Sequence, residues 1–566
     1  MHTMRLVECV PNFSEGRNPA TIDAIAAVIR EAEGAWLLDV DPGKATNRTV
    51  VTFVAEYDHA VDAAFRAIER AASLIDMAAH SGEHARMGAT DVCPFVPVRG
   101  VTMDECADLA RELGRRVGDE LGIPVYLYEH AASRKERRNL ATIRAGEYEG
   151  LEKKLTDPEW QPDFGPARFN PRSGATVIGA RKFLIAYNIN LNTRSRKLAH
   201  DVAMSIREAG RNKRGSDGKF VRDKNGVPVR QPGTLRACKA VGWYIAEYGR
   251  AQISMNLTDF DVTPPHVAFD ECVRQASARG LRVTGSELVG LIPLEAMLQA
   301  GHHYLESQGA SPGIPQRDIV ETAIQSLGLR ELSSFDPAEK IIEYRVAQPG
   351  PLIGLPLRDF VDVTSTDAPA PGGGSVAALA GALAGALAAM VANLTIGKKG
   401  YGDARDEMMT IAVDGQKLKE EMLRAIDADT QAFDAVLAAM RLPRTTDDES
   451  RERARAIEDA TKRAIDVPLG VLRRCRDTIG IADAASQRGN ANSRSDSGVA
   501  ALCAWAGAGG ALMNVLTNLP GVSDTAYVRD VMNEARNLSG EVNARGKEII
   551  ERVVSELEAN AAESAS

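Results

Sequence analysis

The densest reactive cluster in the chain is His80-Ser81-Gly82-Glu83-His84, two imidazoles and a carboxylate within five residues. It matches H-x-x-E-H, an inverted zinc-peptidase pattern in which both imidazoles share a helix face and the glutamate is the base. Gly82 inside the motif and Arg-Met-Gly directly after it oppose a continuous helix, and no downstream carboxylate ligand stands out. Without metal, His84 in a glycine-rich turn before the strand-like VCPFVPV is placed as a loop-borne general base; the plain alternative is a hydrogen-bonded turn histidine. A base of this kind needs an orienting carboxylate. Asp39 or Asp41 in LLDVDPGKATNR could serve, or could simply cap the turn at Pro42-Gly43. Asn12-Phe-Ser-Glu15 is a second acidic segment in a similar strand-to-loop position.

No histidine follows His303, so proton transfer in the remaining 263 residues falls to carboxylates, thiols, phenols or lysines. Asp427 and Asp429 lie two apart on a helical pattern and so project to different sides; one can face solvent while the other enters a cleft. A buried aspartate with a raised pKa is the natural proton carrier there. Gly372-Gly373-Gly374-Ser375 opens an apolar helix whose free amides suit an anionic or polar ligand, unless it is an ordinary helix cap. The lysine of a nucleotide-binding P-loop is absent. Arg494 and Asp496 precede another helix and offer polar contacts to a substrate.

The elements that must position these groups change character along the chain. Up to about residue 345, strands and helices alternate: strands at 6–10, 35–41, 49–57, 92–98, 123–128, 183–191 and 251–260, helices at 19–31, 59–76, from 103, 195–209 and 266–279. A Pro/Gly-rich stretch at 157–174 divides this into two similar α/β lobes, residues 1–180 and 181–346. A hairpin at 211–233, turning at Asn225-Gly226, carries seven Lys/Arg against two Asp between 211 and 231. Residues 347–356 read as a linker. Beyond it, alanine-rich helical spacing at 375–396, 403–440, 447–478, 495–517 and 523–558 predicts an all-α bundle over 357–566. The expected class is thus an α+β N-terminal part of two lobes followed by a helical bundle.

A net charge of -9 excludes a uniformly basic nucleic-acid binder. Seven scattered cysteines without a C-x-x-C pair signal neither a disulfide framework nor a cysteine zinc site. With a strand-like start and no signal-peptide pattern, the expected compartment is the cytoplasm. Val376–Thr395 is as long and uncharged as a membrane span, but its alanine and glycine content favours a tightly packed helix in a protein without membrane association.

LVECVPNFSEGRN, LLDVDPGKATNRTV, HSGEHARMGATDVCPFVPVRG, IRAGEYEG and GARKFLIAYNINL resemble glutamate formimidoyltransferase across residues 1–345. APGGGSVAA, IDADTQAF, MRLP and SRSDSGVAA resemble formimidoyltetrahydrofolate cyclodeaminase across 357–566. In this order they resemble the bifunctional formimidoyltransferase-cyclodeaminase family over essentially the whole chain. The resemblance implies transfer of the formimidoyl group from N-formimidoyl-L-glutamate to N5 of tetrahydrofolate, then cyclisation to 5,10-methenyltetrahydrofolate with release of ammonia. It makes His84 the transferase base, Asp41 its orienting partner and Asp429 the acid/base of ring closure. It assigns folate binding to the loop Gly165, Pro166, Ala167, Arg168, Phe169, Asn170, Pro171, Arg172, Ser173 and Gly174. Gly372, Gly373, Gly374, Ser375, Arg494 and Asp496 would hold the cyclodeaminase substrate. It further implies polyglutamylated folate, no metal, and a homo-oligomer built as a ring of dimers.

Three features depart from the family pattern. Ala85 stands where a proline is usual, which loosens the turn; Ser173 stands where an aromatic would stack on the pterin; and the 211–233 hairpin is long. The competing readings are a zinc peptidase built on His80, Glu83 and His84, and a non-catalytic folate carrier.

Overall fold

The computed structural model describes residues 5–44, 46–82, 85–347, 350–368 and 370–565. They form two compact units, one holding the chain through Met297 with Leu327–Ala347, the other Leu298–Ser326 and the chain from residue 348 onward.

The first unit contains both α/β lobes. Its first sheet combines β1 (Leu6–Cys9), β2 (Asn12–Phe13), β3 (Ala35–Gly43), β4 (Arg48–Glu56), β5 (Thr90–Arg99), β6 (Val125–Glu129) and β7 (Thr176–Ala180). β1 and β2 are two pieces of one strand, each antiparallel to both β4 and β5; β3 extends the sheet beyond β4, and β7 and β6 run parallel at the other edge. Helices α1 (Pro19–Arg30), α2 (Ala60–Leu74) and α3 (Met103–Leu121) cover one face, and α4 (Leu140–Ile143) and α5 (Leu151–Leu155) cover part of the other. Local chemistry marks the helix starts. Asn18 accepts from the amides of Ala20 and Thr21, and Thr102 and Glu105 close a capping box.

The second sheet orders β11 (Cys238–Ile245), β12 (Arg250–Leu257), β8 (Ile185–Leu191) and β13 (Val283–Val289), all antiparallel. The short pair β9 (Arg211–Asn212) and β10 (Arg230–Gln231) forms the root of the basic hairpin. Helices α6 (Arg196–Ile206) and α7 (Pro265–Ser277) back this sheet. β11, β13, and helices α8 (Leu294–Ser307) and α9 (Gln316–Leu327), were absent from the sequence expectation, as were the single turns α10 (Pro337–Lys340) and α11 (Ile342–Val346).

The second unit is helical: α12 (Leu357–Thr364), α13 (Gly373–Thr395), α14 (Arg405–Met440), α15 (Asp447–Arg488), α16 (Arg494–Asn518) and α17 (Thr525–Ala565). α13 packs against α14, α15 and α16. Both α13 and the stretch around α16 are long and apolar enough to cross a membrane; in the bundle many of their glycines and alanines, among them Gly381, Gly385, Ala504, Gly507 and Ala508, are buried against other helices. A Cβ added to Gly415 would lie 2.8 Å from the carbonyl oxygen of Gly385, so α13 and α14 touch backbone to backbone. Residues 298–326 join this unit because Asn393 donates to the Gly313 carbonyl (2.8 Å) and Arg405 to that of Gly309 (2.7 Å). His302 and His303 therefore belong to the helical unit, which sequence analysis had left without imidazoles. The Gly313 contact reaches α14 at Ala412, about 25 Å along the helix from Asp429 at 1.5 Å per residue.

One buried carboxyl follows directly from strand alternation. Val7 and Cys9 point into the first core, which turns Glu8 to the opposite face, where it is 5% exposed. Burial pushes its pKa from 4.5 up to about 7, against the pull of Arg181. The folded state holds this proton longer than the unfolded chain, so the contribution of Glu8 to stability is fully present below pH 4.5 and is lost as pH rises through about 7. The loss amounts to about 3 kcal/mol, and Glu8→Gln should remove it. Urea unfolding in a Trp505→Phe background leaves Trp36, Trp160 and Trp243 as reporters, all in the first unit. Equal pH slopes in Glu8→Gln and its parent would show that Glu8 ionises normally.

Candidate functional site

His80 begins the turn that carries the first reactive cluster. Its Nε2 lies 2.9 Å from the Asn47 carbonyl oxygen and its Nδ1 accepts from Arg86 Nε at 3.3 Å. A carbonyl only accepts and a guanidinium only donates, so Nε2 turns its proton to Asn47 and Nδ1 its lone pair to Arg86. Asn47 closes the other side: its Nδ2 donates to the Ser81 carbonyl (2.9 Å) and its Oδ1 accepts from the Gly16 amide (3.0 Å). It does so with a left-handed φ of 49°, uncommon for a residue with a side chain. Gly82 leaves no room for a methyl, since a Cβ there would sit 2.3 Å from the Thr46 carbonyl oxygen. Glu83 and His84 lie outside the described residues, but both flanks of the turn are fixed. With both nitrogens of His80 committed to protein groups, a zinc ion could take it only by breaking one of these bonds, which disfavours the peptidase reading.

The 165–174 loop meets the same turn from both sides. The Met77 amide donates to the Arg172 carbonyl at 2.9 Å, just ahead of His80. Past the turn, the Ala89 amide donates to the Ser173 carbonyl (2.9 Å) and the Ala175 amide to that of Met87 (3.0 Å). Pro166, Ala167 and Arg168 form the exposed tip, while Ser173 is buried in the anchoring end. Ser173 thus serves as an anchor, and the aromatic of this loop is Phe169, 5.4 Å between ring centroids from Tyr148. Gly165 and Gly174 bracket the loop with φ of 78° and 64°.

Asp41 lies exposed on β3 opposite Val50, two residue pairs from the Gly43–Arg48 end of the hairpin. Its carboxylate acts on the nearby Arg48, whose pKa burial lowers foremost, with Arg144 adding to the depression and Asp91 and Asp41 opposing it. Asp91 is wholly buried, pairs with Arg144 and accepts from the Met87 amide at 2.9 Å. Arg48, Asp91 and Arg144 were not singled out from the sequence; the buried aspartate opening VCPFVPV was the available signal.

In the helical unit, Asp429 sits against the start of α13. A Cβ on Gly374 would lie 2.1 Å from Asp429 Oδ1, and Ser375 Oγ is 3.3 Å from Oδ2. Burial raises the Asp429 pKa; hydrogen bonds from the Ser375 hydroxyl and amide pull the other way without winning. The carboxyl therefore holds its proton more tightly than an ordinary aspartate. Next to it, Thr430 buries its hydroxyl without a hydrogen-bond partner. Asp427 does not face solvent as one of the two carboxylates was expected to: it is 5% exposed and accepts from the amides of Leu352 (2.7 Å) and Ile353 (3.3 Å).

Gly372, Gly373, Gly374 and Ser375 stand together at this site, but Arg494 and Asp496 do not. The first residues of α13 face the far end of α16, where Gly510 and Asn514 lie. Asn490, just ahead of Arg494, donates its amide to Thr395 Oγ1 at 2.8 Å, at the other end of α13. Antiparallel packing thus leaves Arg494 and Asp496 about 30 Å from Asp429 within one chain. Arg494 pairs instead with Glu556 at 2.9 Å. The expected grouping read closeness from shared polarity, and the direction of α16 overrules it.

Three family models match: "Formiminotransferase domain, N-terminal subdomain" over residues 6–181, "Formiminotransferase domain" over 186–347, and "Formiminotransferase-cyclodeaminase" over 356–537. The formimidoyltransferase-cyclodeaminase of Sus scrofa is 43% identical over 552 residues, 97% of this chain and 99% of its own. The glutamate formimidoyltransferase of Thermoplasma acidophilum is 42% identical over 323 residues, 56% of this chain and 99% of its own. The methenyltetrahydrofolate cyclohydrolase of Methylorubrum extorquens is 40% identical over 201 residues, 36% of this chain and 97% of its own.

The contact at α13 predicts opposite outcomes for two neighbouring glycines. Gly374→Ala should cost about 1–3 kcal/mol by overpacking against Asp429 and lower the melting temperature of the helical unit by several degrees. Gly372→Ala, where an added Cβ meets nothing within 4 Å, should leave it unchanged. Equal calorimetric midpoints for both variants would show that Asp429 does not press on α13.

Proposed function

The chain belongs to the formimidoyltransferase-cyclodeaminase family, and on that premise we propose how its two units divide the work of a bifunctional folate enzyme. In the first unit, N5 of tetrahydrofolate attacks the amidine carbon of N-formimidoyl-L-glutamate, His84 takes the N5 proton and passes it to the glutamate nitrogen, and the C–N bond to glutamate breaks. Asp41 holds the imidazole in the productive tautomer. The observation that carries this reading is the hydrogen bonding of the 165–174 loop to residues on both sides of the His84 turn. A folate seated on that loop is thereby kept beside the two flanks of the segment that carries the base, at Met77 and at Met87 to Ala89.

In the second unit, N10 attacks the formimidoyl carbon, and Asp429 gives its proton to the departing nitrogen as ammonia while accepting the N10 proton. A carboxyl with a raised pKa suits that exchange. The α13 start, Gly372 to Ser375, receives the substrate beside it. Arg494 and Asp496 could join this site only from a second copy of the chain. The enzyme is a cytoplasmic homo-oligomer, assembled as a ring of dimers, that needs no metal. Val376, Leu383, Met390 and Leu394 form an exposed apolar stripe along α13, a face suited to self-association.

The tetrahydrofolate is polyglutamylated in this proposal. The 211–233 hairpin supports it: Arg214, Arg222 and Arg230 donate to the carbonyls of Gly218, Gly226 and Ala209 and keep their charge uncompensated by those contacts. A second reading for the helical unit is favoured by its 40% identity to a methenyltetrahydrofolate cyclohydrolase. Water would add to the methenyl carbon, Asp429 would take its proton, and the bond to N5 would break to give 10-formyltetrahydrofolate.

Absorbance of methenyltetrahydrofolate, followed with formimidoylglutamate and tetrahydrofolate, tests both sites. His84→Ala should lower transfer by roughly two to four orders of magnitude, and Asp429→Ala should accumulate 5-formimidoyltetrahydrofolate. Transfer at the parent rate in His84→Ala would remove the base assignment. Supplying methenyltetrahydrofolate alone decides the second reading, since a decay rate unaffected by added protein would reject it. Leu383→Lys should shrink the assembly in light scattering; an unchanged mass would place the interface elsewhere.

A further inference from the structure

Arg86 lies two residues past His84 with its side chain only 11% exposed. Its guanidinium donates to Glu149 at 2.6 and 3.1 Å and to Glu147 at 3.1 Å. Its Nε reaches His80, and its carbonyl accepts from the Tyr148 amide at 2.9 Å. The segment it grips is conformationally costly, with Gly146 at φ 90° and Glu147 at φ 53°. Tyr148, between the two carboxylates, points the other way. Its hydroxyl donates to the Pro171 carbonyl at 2.5 Å and its ring lies against Phe169, both in the 165–174 loop. His80, Gly82, Arg86, Glu147 and Glu149 line an open cleft of about 460 Å³.

We infer that Arg86 is a positioning residue for formimidoyl transfer, and that Tyr148 makes the placement of the His84 turn depend on the tetrahydrofolate loop. This rests on the transferase reading given above. The guanidinium is a planar fork that can serve two carboxylates and an imidazole at once; a lysine ammonium at this position would hold one of them. Because Arg86 Nε takes the lone pair of His80 Nδ1, it also fixes the ring with its Nε2 toward the Asn47 carbonyl. The histidine turn is thus clamped at Asn47 on one side and Arg86 on the other, and the clamp continues through Tyr148 to the loop that seats the folate. Folate binding at the loop then steadies the flanks of the turn, residues 77–82 and 85–89, so the acceptor prepares the site for the donor.

Arg86→Lys and the milder Glu149→Gln separate positioning from folding. Both should keep the melting temperature and the tetrahydrofolate dissociation constant near those of the parent while kcat for transfer falls roughly ten- to hundredfold. Tyr148→Phe should raise KM for tetrahydrofolate, and combined with Arg86→Lys should lower kcat no further than Arg86→Lys alone. Hydrogen exchange gives a readout independent of turnover: tetrahydrofolate should protect amides at 77–82 and 85–89 in the parent, and Arg86→Lys or Tyr148→Phe should abolish that protection. Parent kcat in both Arg86→Lys and Glu149→Gln, additive effects in the double variant, or unchanged protection would overturn the inference. Full transfer in His84→Ala alongside lost protection would instead indict the assignment of the base and leave the coupling standing.

Discussion

A carbon atom added at Gly374 would lie 2.1 Å from a carboxylate oxygen of Asp429, and one added at Gly82 would lie 2.3 Å from the Thr46 carbonyl. Neither approach tolerates a methyl, and each lies within two residues of a group proposed to move a proton. Close backbone contact does here what a bound ion or a disulfide does in other sites: it removes the space through which a loop or a helix end could drift. The same constraint repeats at a distance, where Gly385 and Gly415 let α13 and α14 meet main chain to main chain. Helices that could pass for membrane spans by composition are, on this account, helices selected for thin surfaces.

That selection also explains what the sequence concealed. β11 was not recognised as a strand because its alternation runs backwards: Cys238, Ala240 and Gly242 face inward while Lys239, Val241 and Trp243 face out. The reason is α6, which lies so near that a Cβ on Gly242 would be 2.0 Å from the His200 amide nitrogen. A strand whose buried side must be small cannot show the usual apolar period. Where packing distance was ordinary, as for α2, α3 and β4, periodicity located the elements to within about two residues. The five long helices α13 to α17 were likewise legible, although α15 continues to Arg488 beyond the expected end and α12 was not foreseen.

The site was legible in proportion to how local its chemistry is. The histidine turn and the 165–174 loop are each continuous segments, and motif spacing is enough to find them. Their joining is not: it depends on hydrogen bonds between residues such as Met77 and Arg172, or Tyr148 and Pro171, separated by 23 to 95 positions. Arg86 was read only as part of a helix-breaking triplet, since nothing in one dimension reveals that Glu147 and Glu149 will close on it. Arg494 failed for the complementary reason. Its polarity suggested a ligand, but α16 runs antiparallel to α13 and carries it to the far end of the bundle.

Asp427 and Asp429 show how two identical side chains on one helix come to differ. Asp427 accepts two main-chain amides, from Leu352 and Ile353, and so ties residues 350–353 to α14. Each of its two oxygens accepts from one of these amides. Asp429 is also withdrawn from water, but its partner is the single residue Ser375, whose hydroxyl also serves the Ile426 carbonyl at 2.9 Å. Divided hydrogen bonding cannot repay full desolvation, and the Asp429 pKa rises. A second full donor, at Thr430 or at the start of α13, would therefore lower the Asp429 pKa and leave less of its protonated form near neutrality. Gly372 brings no capping side chain to the start of α13, so the Asp429 carboxyl takes a hydrogen bond from the Ser375 amide there and still keeps a raised pKa.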